Sequence, residues 1–169
     1  MNVQLAFVED SFKRTEGAPF PQSRNVRLVS GKRDAVAFQL AASVDQPFAL
    51  NVGDNEWCSE KGTPLKLRLA VDAPFPAKLQ LEGMIRDDDE LLKADLLLEQ
   101  DVCEYVSGAV GMVWIELSTA ETAVAGEYTC SVEVYASVGL EDERLLQKLP
   151  FTLVVKDYIM PQPKAYSFY

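Results

Sequence analysis

Apolar residues alternate with polar ones in several short stretches of this sequence, and turn-forming residues separate those stretches. The even positions are apolar from Ala35 to Val44, and the same period of two recurs at 65–71, 79–82 and 128–134. Successive side chains of a β-strand point to opposite faces, so this period predicts strands that bury one face. Proline, glycine and aspartate in between predict turns. The sequence therefore predicts an all-β fold, an antiparallel β-sandwich of about seven to nine strands, immunoglobulin-like or jelly-roll-like.

Two further stretches predict the centre and the end of this sandwich. Met112–Leu117 is apolar at nearly every position, as expected of a central strand that is covered on both faces, and this places Trp114 in the core. The last alternating stretch, Leu149–Val155, follows a turn at 139–142. We expect it to form a hairpin with the strand at 128–134.

Acidic residues are concentrated between Glu82 and Glu104, a stretch that contains nine acidic and two basic residues. The whole chain has a net charge of −10 and a sequence pI near 4.5, and such a field repels the phosphates of nucleic acid and anionic lipid. We expect neither as a partner. Within this region, residues 87–93 could form a short helical turn or an irregular loop. Their carboxylates lack the spacing and the glycine of a calcium loop, which favours a solvated run of charge.

Several kinds of chemistry have no support in the sequence. The chain contains no histidine and no glycine-rich phosphate loop, and its three cysteines fit neither a disulfide framework nor a metal site. We therefore predict no catalytic residue, no metal site and no cofactor. The N-terminus does not resemble a secretion signal, and no apolar run approaches the roughly 20 residues of a membrane span. These features favour a cytoplasmic protein without a membrane partner.

Trp57 lies in a polar, turn-forming stretch at 53–59, and two interpretations of it are open. Its indole could plug one end of the sandwich, which is the commoner fate of a large aromatic side chain. It could also stack on a sugar ring, with amides and acids beside it. Trp57 is therefore a possible carbohydrate contact.

The end of the sequence predicts a junction with another domain. Pro161 and Pro163 stop a strand from continuing, and large apolar side chains flank them. We expect residues 1–157 to form the sandwich and residues 158–169 to form a linker and the start of a further domain. The predicted interface residues are Tyr158, Ile159, Tyr166 and Phe168.

Three stretches resemble a single family. They are Gly31–Leu40, Ala125–Thr129 and Val154–Pro161. Together they resemble the N-terminal β-sandwich of glycoside hydrolase family 123-like, or β-N-acetylgalactosaminidase-like, proteins. The corresponding family patterns are R-N-E-x-E-x-F-Q-L, P-G-x-Y-x-G and V-x-D-x-x-L-P. The chain departs from these patterns at Asp34, Val36, Ala125 and Met160.

This resemblance implies that a catalytic (β/α)8 barrel follows the sandwich and that residues 166–169 begin its first strand. Enzymes of the family remove N-acetylgalactosamine with help from the substrate's acetamido group, using an Asp–Glu pair on the barrel. No catalytic residue can therefore be carried over to this chain. The resemblance also implies an extended loop at 94–98, which argues against a helix in the preceding residues.

The function predicted from the resemblance is a non-catalytic N-terminal accessory domain of a glycoside hydrolase, supporting and orienting a downstream barrel of the same polypeptide. The chain alone is not expected to be an enzyme. One alternative is a free-standing carbohydrate-binding module, motivated by Trp57, with carbohydrate as a possible partner. A structural or adhesive sandwich of the immunoglobulin or fibronectin type is a weaker alternative.

Overall fold

The structure is a computed structural model that describes residues 1–54, 56–59 and 62–162. Eleven strands form two packed sheets, and the described residues contain no helix. The predicted β-sandwich is confirmed, with more strands than expected. The strands are β1 (Val3–Glu9), β2 (Arg27–Lys32), β3 (Asp34–Val44), β4 (Phe48–Asn51), β5 (Leu65–Asp72), β6 (Ala77–Arg86), β7 (Leu92–Leu97), β8 (Val102–Tyr105), β9 (Val110–Thr119), β10 (Gly126–Val138) and β11 (Arg144–Ile159).

The first sheet has five strands in the order β1-β3-β9-β6-β7, and the second has six in the order β2-β11-β10-β5-β4-β8. Most neighbouring strands are antiparallel, whereas β2 with β11 and β4 with β5 are parallel. The predicted hairpin of the last two long strands is confirmed, because β10 pairs with β11 in antiparallel register. The strand β11 continues through Ile159, two residues beyond the sandwich boundary expected at 157.

Two of the additional strands, β4 and β7, were not predicted from the sequence. All four residues of β4 are buried, so no polar residue alternates with the apolar ones. The strand β7 lies in the acidic region and pairs with β6, where an extended loop was expected. Residues 87–91 form a tight turn between them, closed by hydrogen bonds from Asp87 N to Leu91 O (3.0 Å) and from Glu90 N to Asp87 O (2.8 Å).

The main core lies between the two sheets and is apolar. Phe7, Phe38 and Phe151 form its aromatic centre, with the ring centroids of Phe38 and Phe151 4.9 Å apart and those of Phe7 and Phe38 5.1 Å apart. Offset and edge-to-face contacts of this kind are the favoured ones for aromatic rings. Burial of leucine, valine and isoleucine from both sheets completes this core.

The strand β9 corrects one prediction about the core. Val113, Ile115 and Leu117 face the second sheet and are fully buried, as a central strand requires. Trp114 points to the opposite, outer face of the five-stranded sheet and is half-buried. The prediction that Trp114 belongs to the core is wrong, because the outer face of this sheet is covered only in part.

Candidate functional site

The segment 10–25, which connects β1 to β2, covers part of the outer face of the five-stranded sheet. Phe12 and Phe20 from this covering segment pack on a small second cluster of buried residues, formed by Ala6, Val8, Ala41, Ala94 and Met112. The segment also pairs with β7, because Ala94 N donates to Arg14 O and Glu16 N donates to Leu92 O, both at 2.8 Å. It thus forms a partial roof over the sheet.

Gln39 holds the start of this roof in place. Its Nε2 lies within hydrogen-bond distance of the carbonyl oxygens of Glu9 (3.0 Å), Asp10 (3.0 Å) and Phe12 (2.7 Å). The side chain is 1% exposed, and its Oε1 has no hydrogen-bond partner among the described residues. A buried amide oxygen without a partner is uncommon, because its desolvation is not compensated.

A cavity of about 220 Å³ remains beside the roof and is open to solvent. We call it the Trp114 pocket. Its walls are contributed by Gln39 of β3, Trp114 of β9, Glu82 of β6 and Asp95 of β7, with Phe12 and Lys13 of the covering segment at the edge. The pocket therefore combines the aromatic side chains of Trp114 and Phe12 with several hydrogen-bonding groups.

Glu82 is the most perturbed acid of this pocket. It is 9% exposed, and among the described residues no group donates a hydrogen bond to its carboxylate. Burial, with a smaller contribution from the negative charge of Asp95, raises the pKa of Glu82 to about 7. Glu82 is consequently protonated in a large fraction of molecules near neutral pH, and it can then donate a hydrogen bond as well as accept one.

The rim of the pocket carries an ion pair. Lys13 Nζ lies 2.7 Å from Asp95 Oδ2, and both side chains are about half exposed. This ion pair neutralises the charge of Asp95, which is the charge that contributes to the raised pKa of Glu82. When Glu82 is protonated, the deeper part of the pocket has little net charge.

Trp57, the predicted carbohydrate contact, lies in a different place. Its half-buried indole lines an open depression of about 340 Å³, together with Pro64, Lys66 and Leu140. Nearby, the Ser59 hydroxyl donates to Glu104 and accepts a hydrogen bond of 2.6 Å from Thr63 N. The structure thus places the two tryptophans in separate cavities, and a sugar contact at Trp57 stays a prediction.

The predicted interface residues lie at the end of β11, insofar as the structure describes them. Tyr158 is 49% exposed and Ile159 46% exposed, whereas Tyr166 and Phe168 lie outside the described residues. The ring of Tyr158 rests on Gly31, where an added Cβ would lie 2.5 Å from ring atom Cε2. We call this surface, Tyr158 and Ile159 with Gly31 below, the exit surface.

Hydrogen bonds and an ion pair keep the exit surface attached to β2. Lys32 Nζ lies 2.7 Å from Asp157 Oδ1, and Met160 N donates to Lys32 O at 2.9 Å. The ion pair lowers the pKa of Asp157. The end of β11 is therefore fixed in position while its apolar side chains stay half exposed.

The acidic turn at 87–91 carries a different arrangement from that of the pocket. Lys93 Nζ lies 3.0 Å from Asp87 Oδ2 and 2.8 Å from Asp89 Oδ2. Hydrogen bonds from Lys93 lower the pKa of both aspartates. Within residues 1–54, 56–59 and 62–162, no group of three or more His, Cys, Asp or Glu side chains is arranged to hold a metal ion. In the same ranges, no helix is long and apolar enough to cross a bilayer.

Sequence reasoning did not identify the Trp114 pocket. Glu82 was grouped with the acidic run and Trp114 with the core. The alternation of side chains between the two faces of a strand was the available signal. It places Trp114 on the same face as Glu116, and Glu82 on the same face as Gln80. Alternation assigns a face, but it does not show that a distant segment will roof that face.

The fold and this pocket define a β-sandwich domain with a small cavity on one outer sheet face. No family model matches the sequence, and no curated protein matches it. Among solved structures, the chain is similar to a family 123 glycoside hydrolase from Clostridium perfringens whose structure addresses glycolipid glycan hydrolysis. The identity is 12%, the TM-score is 0.63, and the match covers 95% of this chain and 28% of that enzyme.

A second similar structure is the ASH/PapD-like domain of human CEP192, with 12% identity, a TM-score of 0.37 and coverage of 94% of this chain and 87% of that one. This chain thus spans a little over a quarter of the length of the glycoside hydrolase. At 12% identity and a TM-score of 0.63, the similarity to the glycoside hydrolase shows a shared fold.

Proposed function

We propose that this chain is the non-catalytic N-terminal accessory domain of a glycoside hydrolase and that it supports and orients a downstream catalytic barrel. The observation that carries this proposal is the match of nearly the whole chain to a 28% portion of the family 123 enzyme. The sequence resemblance at 31–40, 125–129 and 154–161 points to the same family. Catalysis then belongs to the barrel, and the substrate of the whole protein is a glycan that contains N-acetylgalactosamine.

The exit surface supports this proposal physically. Tyr158 and Ile159 are half exposed on a strand that is otherwise well anchored. Burying such side chains against a barrel contributes roughly 25 cal/mol per Å² of apolar surface. Because the ring of Tyr158 rests on Gly31, its direction is already set before the barrel docks, which reduces the entropy lost on docking.

The first experiment reads the coding frame beyond Tyr169. We expect it to continue into a barrel, and the product to hydrolyse p-nitrophenyl N-acetyl-β-galactosaminide. A stop codon directly after Tyr169 would exclude the proposal. A continuous frame whose barrel is equally stable and active without residues 1–157 would contradict the supporting role.

The second experiment locates the surface that faces the barrel. Ile159→Ala should lower the unfolding free energy of the whole protein by about 2 kcal/mol and that of the isolated chain by less than about 1 kcal/mol, because the residue is buried only in the whole protein. Val106→Ala is the matched control, since Val106 is 73% exposed and follows β8, at the opposite edge of the six-stranded sheet from β2 and β11. Equal effects of Ile159→Ala in both proteins would show that the barrel docks elsewhere.

Hydrogen exchange distinguishes the exit surface from its main rival. The hairpin of β6 and β7 carries five exposed apolar side chains, Met84, Ile85, Leu91, Leu96 and Leu97. Comparison of the isolated chain with the whole protein should show new protection at residues 157–160. Protection confined to the hairpin would assign the barrel contact to β6 and β7.

A further inference from the structure

We infer that the Trp114 pocket binds a single neutral, hydroxyl-rich ring, a monosaccharide or one terminal sugar of a glycan. This inference does not depend on the proposed accessory role, because it concerns a cavity on the sandwich itself. It also differs from the predicted contact at Trp57, which lies in another cavity.

Two polar side chains beside the Trp114 pocket have groups without a hydrogen-bond partner among the described residues. Glu82 is nine-tenths buried, and within the described part of the chain no hydrogen bond or ion pair satisfies its carboxylate. Gln39 leaves its Oε1 unpaired on the same wall. Buried polar groups are normally paired with protein, water or ligand, so the fully buried, unpaired Oε1 of Gln39 and the mostly buried carboxylate of Glu82 beside one cavity indicate a place for hydrogen-bonding ligand atoms.

The volume and the lining residues of the Trp114 pocket indicate the size and chemistry of its ligand. A volume of about 220 Å³ is below that of most pockets for drug-sized ligands and suits one six-membered ring with its substituents. Trp114 offers an indole against which the C–H groups of a sugar can pack, and Glu82, Gln39 and Asp95 can pair with hydroxyl groups. This combination of an aromatic wall and convergent acceptors fits a sugar.

The charged residues that line the Trp114 pocket favour a neutral ligand. Three acids, Asp10, Glu82 and Asp95, line the pocket, and the lining cation Lys13 is already paired with Asp95. An anionic ligand such as a phosphate ester would be repelled. With Glu82 protonated and Asp95 paired with Lys13, the exposed Asp10 is the remaining charged acid among these lining residues, so a neutral ligand is favoured over a cation.

The test is a titration of the isotope-labelled chain followed by ¹H–¹⁵N spectra, in which the two tryptophans give two indole signals. The Trp57→Phe variant assigns the Trp114 signal. Probes are galactose, glucose, mannose, N-acetylgalactosamine and N-acetylglucosamine, each to about 50 mM, because a ligand of this size binds with a dissociation constant near 1 mM. Methylamine and inorganic phosphate are the charged controls.

We expect at least one sugar to shift the Trp114 indole saturably while the Trp57 indole stays in place. Glu82→Leu should weaken this binding at least tenfold, and Glu99→Leu, at an exposed position outside the pocket, should not change it. If Glu82→Leu does not fold, Glu82→Met keeps the length of the side chain and still removes both the hydrogen-bond donor and the acceptor, and a threefold or greater loss is expected.

Three results would overturn the inference. They are the absence of any saturable shift with all five sugars, a shift of Trp57 alone, and tighter binding of methylamine than of any sugar. Each of these results leaves the accessory-domain proposal untouched, because that proposal is tested on the downstream frame and on the exit surface.

Discussion

The two faces of β9 differ in how completely they are covered by the rest of the molecule. Val113, Ile115 and Leu117 enter a dry, apolar core between the sheets, whereas Trp114 and Glu116 face a partly roofed surface with polar walls. On the inner face, Val113, Ile115 and Leu117 are fully buried in the main core. On the outer face, the covering segment leaves a cavity and two unpaired polar groups. The same backbone thus supports packing on one side and a candidate ligand site on the other.

The largest expected difference between these faces is in the cost of removing an aromatic ring. Phe38→Ala should lower the unfolding free energy by about 3–5 kcal/mol, because it leaves a cavity at the centre of the main core. Phe12→Ala on the covering segment should cost no more than about 2 kcal/mol, since Phe12 is half-buried. Urea denaturation measures both, and equal losses would remove the distinction between the faces.

A second difference is in the response to pH. Burial raises the pKa of Glu82 to about 7, so its stabilising contribution is full below the unfolded pKa of about 4.5 and is lost as the pH rises through 7. Glu82→Gln removes this loss, and the variant should exceed the natural protein in unfolding free energy by up to about 3 kcal/mol at pH 8.

The measurement for Glu82 is a series of denaturation curves between pH 5 and pH 8. The advantage of Glu82→Gln should shrink toward pH 5, while Glu99→Gln, at an exposed position, should follow the natural protein throughout. A pH-independent difference would mean that Glu82 is not protonated in the folded state.

We expect the loss of the Gln39 amide to destabilise the covering segment by an intermediate amount. Gln39→Met keeps the size of the side chain and removes the donor to the carbonyl oxygens of Glu9, Asp10 and Phe12. We expect a loss of about 1–3 kcal/mol, because buried carbonyl groups become unsatisfied. Gln4→Met, on an exposed position of β1, is the control. Hydrogen exchange should accelerate in residues 10–25, and unchanged exchange there would contradict the tether.

The smallest effect is expected at the rim. Lys13→Ala breaks the ion pair with Asp95, and its cost should stay below about 1 kcal/mol because both partners are about half exposed. The cost should fall further at high salt. A loss above that range, measured by the same denaturation, would show that the covering segment relies on charge and not on Phe12 and Gln39.

Part of the fold followed from the sequence because strands with one buried face leave a readable period. The stretches at 35–44, 65–71 and 128–134 all proved to be strands, and the hairpin of β10 and β11 formed as expected. The strands β4 and β7 escaped the pattern. All of β4 is buried, whereas β7 forms a hairpin with the preceding strand β6 and also pairs with the covering segment, which lies about 80 residues earlier in the sequence.

The candidate site was less predictable than the fold. Trp57 stood out because it lies among polar residues, and Trp114 was hidden by the apolar residues around it. Neither residue type nor spacing in the sequence distinguishes the surroundings of the two tryptophans. The difference comes from residues 10–25, which cross the outer face of β3, β9 and β7.

By itself, the sequence determined that this chain forms an all-β sandwich, because alternation and turn chemistry act over a few residues and are written in them. Only the tertiary structure decided that Glu82, Gln39 and Trp114 line one pocket and that burial raises the pKa of Glu82. Burial and proximity depend on contacts between distant parts of the chain, such as that of Lys13 with Asp95, which are 82 positions apart. Such contacts exist only after the sheets have packed and the covering segment has docked.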